Sequence, residues 1–297
     1  MKVKLNLFAM LIIVLFTSSC SDEKITSSED FQGVYETIYI TNPLDSLGII
    51  HNEILSEFVY NLEYSYLNDD FDGVTFPSND FNTNIASSLN KAYDSTSYFS
   101  SSTQQLQEDL LDSLDLDNWF SSANYTAMFY DVEKILKDYA STQDSIFTIN
   151  LINDIKDIII SGTSNDVFDE LETIVNSHET LILAEDWDST EVFALSALAV
   201  AKHSTQFWKS FFNTHLAKMS KNNKVQYSNG DKALVVGADA AGAVVGSIKG
   251  AIIGSVVSPV AGTIGGYFAG KIVGGVSASS TAIAVLAVRD LWADLFD

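Results

Sequence analysis

The sequence predicts an all-α protein, a helical bundle that ends in a hydrophobic hairpin of two helices. Three observations carry that expectation. Apolar residues return at three- and four-residue steps along most of the chain. Period-two alternation is scarce, and only three prolines interrupt 297 residues. Near the end, from Ala238 to Ala282, a small residue stands at every fourth position.

The N-terminus is processing signal rather than fold. MKVK is a short basic start, LNLFAMLIIVLF is an apolar run too short to cross a bilayer, and Thr17, Ser18 and Ser19 lead to Cys20. Residues 1–19 therefore read as a signal peptide. Cys20 is the sole cysteine, which excludes an intramolecular disulfide. Residues 20–30, closing on SDEKITSSED, form a polar tether. The body, 31–230, is an acidic helical domain, and 231–297 is the hairpin.

Charge divides the same way. Residues 1–199 carry 7 Lys against 34 Asp and Glu, whereas residues 200–297 carry 9 Lys and Arg against 5 Asp. An acidic body argues against nucleic acid and against anionic headgroups as its partners. The mildly basic tail is the part suited to a negative membrane surface.

Within the body, Leu47, Ile50, Ile54, Leu55, Phe58, Val59 and Leu62 share a helical face, with Asp45 or Ser46 as the expected cap. Further helices are expected around 81–99, 103–116, 121–140 and 143–161. A helix capped by Ser164 should place Val167, Phe168, Leu171, Ile174, Val175, His178 and Ile182 on one face. Asp188 and Glu191 resemble a capping box opening a long helix over 189–219. VYETIYIT at 34–41 is the one short segment compatible with a strand, and 221–232 reads as the linker into the tail.

Catalytic signatures are sparse. His51, His178, His203 and His215 are scattered and none has metal-ligand spacing, and His51 and His203 read as satisfied helix histidines rather than ligands or catalysts. There is no nucleophile elbow and no phosphate loop. One acidic loop, NDDFDGVTFPSN at 68–79, matches part of a calcium loop. Asn68, Asp70 and Asp72 take its first, third and fifth places and Gly73 follows. Asn79 stands where the bidentate Glu belongs, so the loop reads as a solvated turn, with a calcium site as the alternative. No other cofactor is expected.

The tail is where the sequence is most specific. On a helix, a four-residue step drifts slowly around the axis, so Gly242, Gly246, Gly250, Gly254, Gly262, Gly266, Gly270 and Gly274 form one smooth groove. Five glycines in the first arm and six in the second sacrifice on the order of 10 kcal/mol of helix propensity. Close backbone approach between two helices can offset that loss. Pro259 breaks the segment, giving arms of about 233–257 and 260–288, each roughly 35–45 Å long and so able to cross a bilayer core of about 30 Å. Asp239, Lys249 and Lys271 lie inside these arms. Counted from Pro259, the two lysines are expected at similar depth, each costing about 2.5–3.5 kcal/mol near a bilayer midplane. Such residues would tune insertion.

Three resemblances follow from these residues. FTSSC up to Cys20, with SDEK after it, resembles the lipobox and acidic export tag of Bacteroidota-type lipoproteins. That resemblance implies acylation of Cys20 and an outer-membrane, cell-surface location. The small-residue spacing over 233–282 resembles the glycine-zipper segments of two-peptide bacteriocins and of glycine-zipper envelope lipoproteins. The layout resembles pore-forming colicins, in which a helical bundle sheathes a hydrophobic hairpin. It differs from them in having a lipid anchor and a polar tether where colicins have receptor and translocation domains.

The expected function is that of a surface-exposed, non-enzymatic lipoprotein whose glycine-zipper hairpin associates with or inserts into membranes. A contact-dependent antibacterial, pore-forming toxin is its sharpest form. The expected partners are the bilayer, a second copy through the zipper, or an immunity protein, and not nucleic acid. The alternative is an envelope or cell-surface binding or structural lipoprotein in which the zipper is the core of a soluble bundle.

Overall fold

The computed structural model describes residues 42–67, 109, 113–114, 116–120, 126–162, 166–185, 193–219, 227–257, 269–283 and 286. These are helices with their turns and caps, and no strand occurs among the described residues. The helices are α1 (Asp45–Leu67), α2 (Leu116–Phe120), α3 (Thr126–Tyr139), α4 (Thr142–Ser161), α5 (Val167–Leu183), α6 (Phe193–Met219) and α7 (Asn229–Val257), with a further helical stretch, α8, over 269–283. The all-α bundle read from the sequence is the architecture. The possible strand at 34–41 and the calcium-like residues Asn68, Asp70 and Asp72 lie outside the described residues, as do Cys20, Pro259, Gly262 and Gly266.

Local chemistry sets the boundaries. Ser141 caps α4 by accepting the Asp144 N–H at 3.1 Å, and Gly162, left-handed at φ 55°, ends it by donating to the Ile158 carbonyl. Helix α5 is capped by Asp166 rather than Ser164, its Oδ1 accepting from Phe168 N and Asp169 N. Ser164, Asn165 and Asp166 are all competent caps, and the one directly before the apolar face takes the role. Helix α7 begins at Asn229, inside the segment expected to be linker. Ser228 Oγ accepts the Asp231 N–H while the Asp231 carboxylate accepts the Ser228 N–H, a reciprocal capping box.

The hairpin arms occupy the centre. Helix α7 packs on α6, α4, α3 and α5, and its residues 233–248 are buried throughout. All of 269–283 is buried too. The sheath presents apolar stripes to them: Ile54, Leu55 and Phe58 from α1, Leu151, Ile155 and Ile158 from α4, and Leu171 and Val175 from α5. At one end α6 adds an aromatic cluster in which the Trp208 ring meets Phe207 at 5.1 Å and Phe211 at 5.3 Å, both edge to face. Helix α1 crosses α6 at Gly48, where a Cβ would collide with the Ala199 carbonyl oxygen and the His203 ring. That crossing turns Asp45 inward, so it does not cap α1 as the sequence suggested. Asn42 fills that place, its Oδ1 accepting from Leu44 N and its carbonyl from Asp45 N.

Candidate functional site: the glycine seam and its buried charges

The two arms run antiparallel and touch backbone to backbone. A Cβ added to Gly242 would collide with the Gly274 carbonyl oxygen and sit 2.7 Å from the Ala278 Cβ. One added to Gly274 would strike the Gly242 carbonyl oxygen, and Gly246 and Gly270 are related in the same reciprocal way. Gly250 continues the strip, its Cα 3.1 Å from a Cβ placed on Gly270. Only hydrogen at these positions lets the helices approach so closely, bringing Cα–H groups against facing carbonyls. Gly254 belongs to α7, but its side-chain surroundings are outside the described residues, as are those of His215.

Not every tail glycine serves the seam. Gly237 faces outward onto the Ile155 and Ile159 side chains of α4. Gly275 faces His51 of α1, whose Nε2 lies 3.2 Å from a Cβ built there. The spacing of four excludes both positions from the groove, and the structure gives them to the sheath.

Asp239 is wholly buried and carries three contacts across to the sheath. Its Oδ1 lies 2.8 Å from His51 Nε2, and its Oδ2 accepts from Trp208 Nε1 at 2.8 Å and from Ser204 Oγ at 2.5 Å. His51 Nδ1 faces Asn52 Oδ1 at 3.1 Å, and Asn52 is held in that orientation by its amide bond to the His203 carbonyl. Both ring nitrogens of His51 thus lie against oxygens of Asp239 and Asn52. Ser204 and His51 contact the same carboxylate rather than each other. A serine relay needs the imidazole between hydroxyl and carboxylate, so this trio is a polar tie.

Lys271 is also wholly buried and donates to Ser196 Oγ near the start of α6. Burial pushes its amine well below the ordinary value of 10.5, against the opposing attraction of the Asp144 carboxylate. Asp144 itself reaches from α4 to the start of α6, accepting Phe193 N at 2.9 Å and Ala194 N at 2.6 Å. The two lysines do not share an environment as their spacing from Pro259 suggested. Lys249 is half-buried and donates to the Ser113 carbonyl, whereas Lys271 points at α6. In the seam register Lys271 stands beside Val245, about one turn, roughly 6 Å, from Lys249.

A second buried carboxylate ties α1 to α6. Burial alone would raise Asp45, but the neighbouring His203, at 3.1 Å, and Lys202, at 3.7 Å, outweigh it and hold the carboxyl below its ordinary 3.8. Lys202 also bonds Glu179 of α5 at 2.7 Å. None of these partners was legible in the sequence, because every one joins residues far apart in the chain. Among the described residues no group of three or more His, Cys, Asp or Glu is placed to hold a metal.

The chain matches no protein-family model, no curated protein and no solved structure.

Proposed function

We propose that the protein is a lipid-anchored, non-enzymatic surface protein that stores a membrane-seeking glycine-zipper hairpin inside a helical sheath. Acylated Cys20 holds the acidic bundle at the outer membrane, and the hairpin is the part that meets lipid. The observation that carries this reading is where the tightest contacts fall. The Gly242–Gly274 and Gly246–Gly270 approaches lie within the hairpin, so the closest contacts of its two arms are made with each other and not with the sheath. Contact of this kind does not depend on water and persists in hydrocarbon. The first arm supplies a 24-residue stretch, Asn229–Ile252, whose length and composition would allow it to cross a bilayer, as those of a buried core helix also can. Contact-dependent antibacterial activity, with an immunity protein as the natural partner, is the sharpest form of this reading.

One observation favours the second reading, in which the zipper is the permanent core of an envelope or cell-surface binding protein. Asp239 is matched by three sheath partners, and a group so completely paired resists extraction. A single experiment separates the two. The mature chain carries Cys20→Ser and Ile252→Cys, a position on α7 that is 50% exposed, and a polarity-sensitive dye is attached there. It is mixed with phosphatidylcholine vesicles holding a self-quenched dye, some of them with lipids brominated deep in the acyl chain. Insertion predicts vesicle leakage together with bromine quenching of the label. Intact vesicles with a label quenched only by aqueous iodide would leave the permanent-core reading standing and remove the first.

A further inference from the structure

Outside the hairpin, helices α4 and α5 enclose an open groove of about 450 Å³, lined by Asn150, Asn153, Asp154, Thr173, Ile174, Ser177, His178 and Leu181. Its volume lies in the range of small-molecule sites. The hydrogen bonds already made by its walls decide what it can take. Thr173 Oγ1 donates to the Asp169 carbonyl at 2.8 Å, and Ser177 Oγ donates to the Thr173 carbonyl at 2.8 Å. Both hydroxyl hydrogens are therefore committed to the helix backbone, and each hydroxyl offers only lone pairs to the groove.

Asp154 is also an acceptor. His178 Nε2 sits 2.7 Å from its Oδ2, while His178 Nδ1 is buried without a partner, so Nε2 is the hydrogen-bonding atom of the ring and its hydrogen is spent on Asp154. The second Asp154 oxygen belongs to a side chain that is 54% exposed. The nearest lysine in sequence, Lys156, is directed elsewhere, over the Phe129 ring at 5.4 Å. The lining is thus biased to acceptors, with Asn150 and Asn153 adaptable, and it lies within residues 1–199, which hold 34 Asp and Glu against 7 Lys. Ile174 and Leu181 add apolar surface beside it.

We propose that this groove binds an alkyl-ammonium or alkyl-guanidinium group. The cationic donors would meet Asp154, Thr173 and Ser177, and the methylene stem would lie along Ile174 and Leu181. A neutral polyol fits less well, because about half of its hydrogen-bonding capacity is acceptor and would find few donors here. The same chemistry can come from a free diamine or from a lysine or arginine side chain of another protein. The site is independent of the hairpin.

The test is calorimetric titration of the mature Cys20→Ser chain with cadaverine, with an arginine-containing hexapeptide, and with glycerol, at low and high salt. The imidazole NMR signal of His178, assigned with His178→Gln, serves as the local reporter. Saturable binding of cadaverine or the peptide, weakened by salt and shifting the His178 signal, is the expected result. Tighter binding of the peptide assigns the source to a protein partner, and tighter binding of cadaverine assigns it to a free amine. Asp154→Asn should weaken binding roughly tenfold, as expected for loss of a charge-assisted bond. Thr173→Val, at an exposed position, should weaken it less. No saturable binding, equal binding of glycerol, or undiminished affinity in a folded Asp154→Asn would overturn the proposal.

Discussion

Gly246→Ala adds a single methyl group at the tightest point of the seam. The new Cβ would collide with the Gly270 carbonyl oxygen, 2.8 Å from the Gly274 Cα and 3.0 Å from the Gly270 carbonyl carbon. Carbon atoms pack at roughly 3.5–4.0 Å, so the arms must separate by about 0.5–1 Å along a line of backbone that has no rotamer to yield. Such a gap forfeits a quarter to a half of each contact well nearby, and overpacking of a close-packed core costs about 1–3 kcal/mol. Alanine recovers about 1 kcal/mol of helix propensity. With backbone on both sides the cost belongs at the upper end, and the net change is a loss of about 2 kcal/mol. Gly237→Ala provides the contrast, because its Cβ would meet side chains and no backbone: Ile159 Cδ1 at 3.0 Å, Ile155 Cγ2 at 3.2 Å and Phe129 Cζ at 3.8 Å. Ile159 Cδ1 can turn away and Ile155 Cγ2 has to yield only a few tenths of an ångström, so propensity and packing nearly cancel and stability changes by under about 0.5 kcal/mol. Urea unfolding of the mature Cys20→Ser chain, followed by far-UV circular dichroism, measures both. A Gly246→Ala protein as stable as the wild type would refute the backbone-on-backbone seam.

Two further predictions concern the buried charges. The unfolded chain holds a proton on Lys271 up to about its ordinary value of 10.5, while the folded chain gives it up at much lower pH. The unfolded state therefore binds more protons across that interval, and this group makes stability rise with pH towards 10.5 and fall as the pH drops. Lys271→Met should flatten that slope and raise stability at neutral pH by about 1 kcal/mol, as urea midpoints measured from neutral to alkaline pH will show. Asp144→Ala removes the acceptor for Phe193 N and Ala194 N, leaving two buried N–H groups unpaired. It should cost about 2–4 kcal/mol in the same assay and speed amide exchange in the first turn of α6.

The strip of small residues was legible because helix geometry allows a four-residue step only one placement. The register was less so, since sliding one arm by four residues still sets small against small. What fixes it is chemistry off the strip: Gly275 abuts His51 and the Asp239 carbonyl. Residue type alone also misplaced Asp45, an acidic residue at a helix start that reads as a cap. Gly48 allows α1 to cross so near α6 that the carboxylate meets His203 and Lys202 instead. The cap that matters for α6 comes from Asp144, 49 residues before Phe193, and no local pattern announces it. Periodicity carried the helices among the described residues and the seam, while the polar ties needed three dimensions; the helices expected around 81–99 and over most of 103–116 lie outside the described residues.

The placement of the hairpin's polar groups limits how it could sit in lipid. Asp239 reaches Ser204 and Trp208, and Lys271 reaches Ser196, so both point to the face covered by α6. Asp239 lies ten residues into α7, about 15 Å along it, which is near the midplane if Asn229 marks one surface of a core about 30 Å thick. Lys271, level with Val245, lies about 9 Å further along the same face. Turned to hydrocarbon, each would cost about 2.5–3.5 kcal/mol, together a large fraction of the 5–15 kcal/mol that holds a domain folded. The seam glycines lie between the arms and suffer no such loss. A single hairpin surrounded by lipid is therefore the least favourable inserted form. One that keeps α6 against its polar face, or sets that face towards a water-filled lumen or a second copy, avoids most of the cost. In the bundle α6 already fills that role, which is why the sheath and the hairpin have to be understood as one energetic unit.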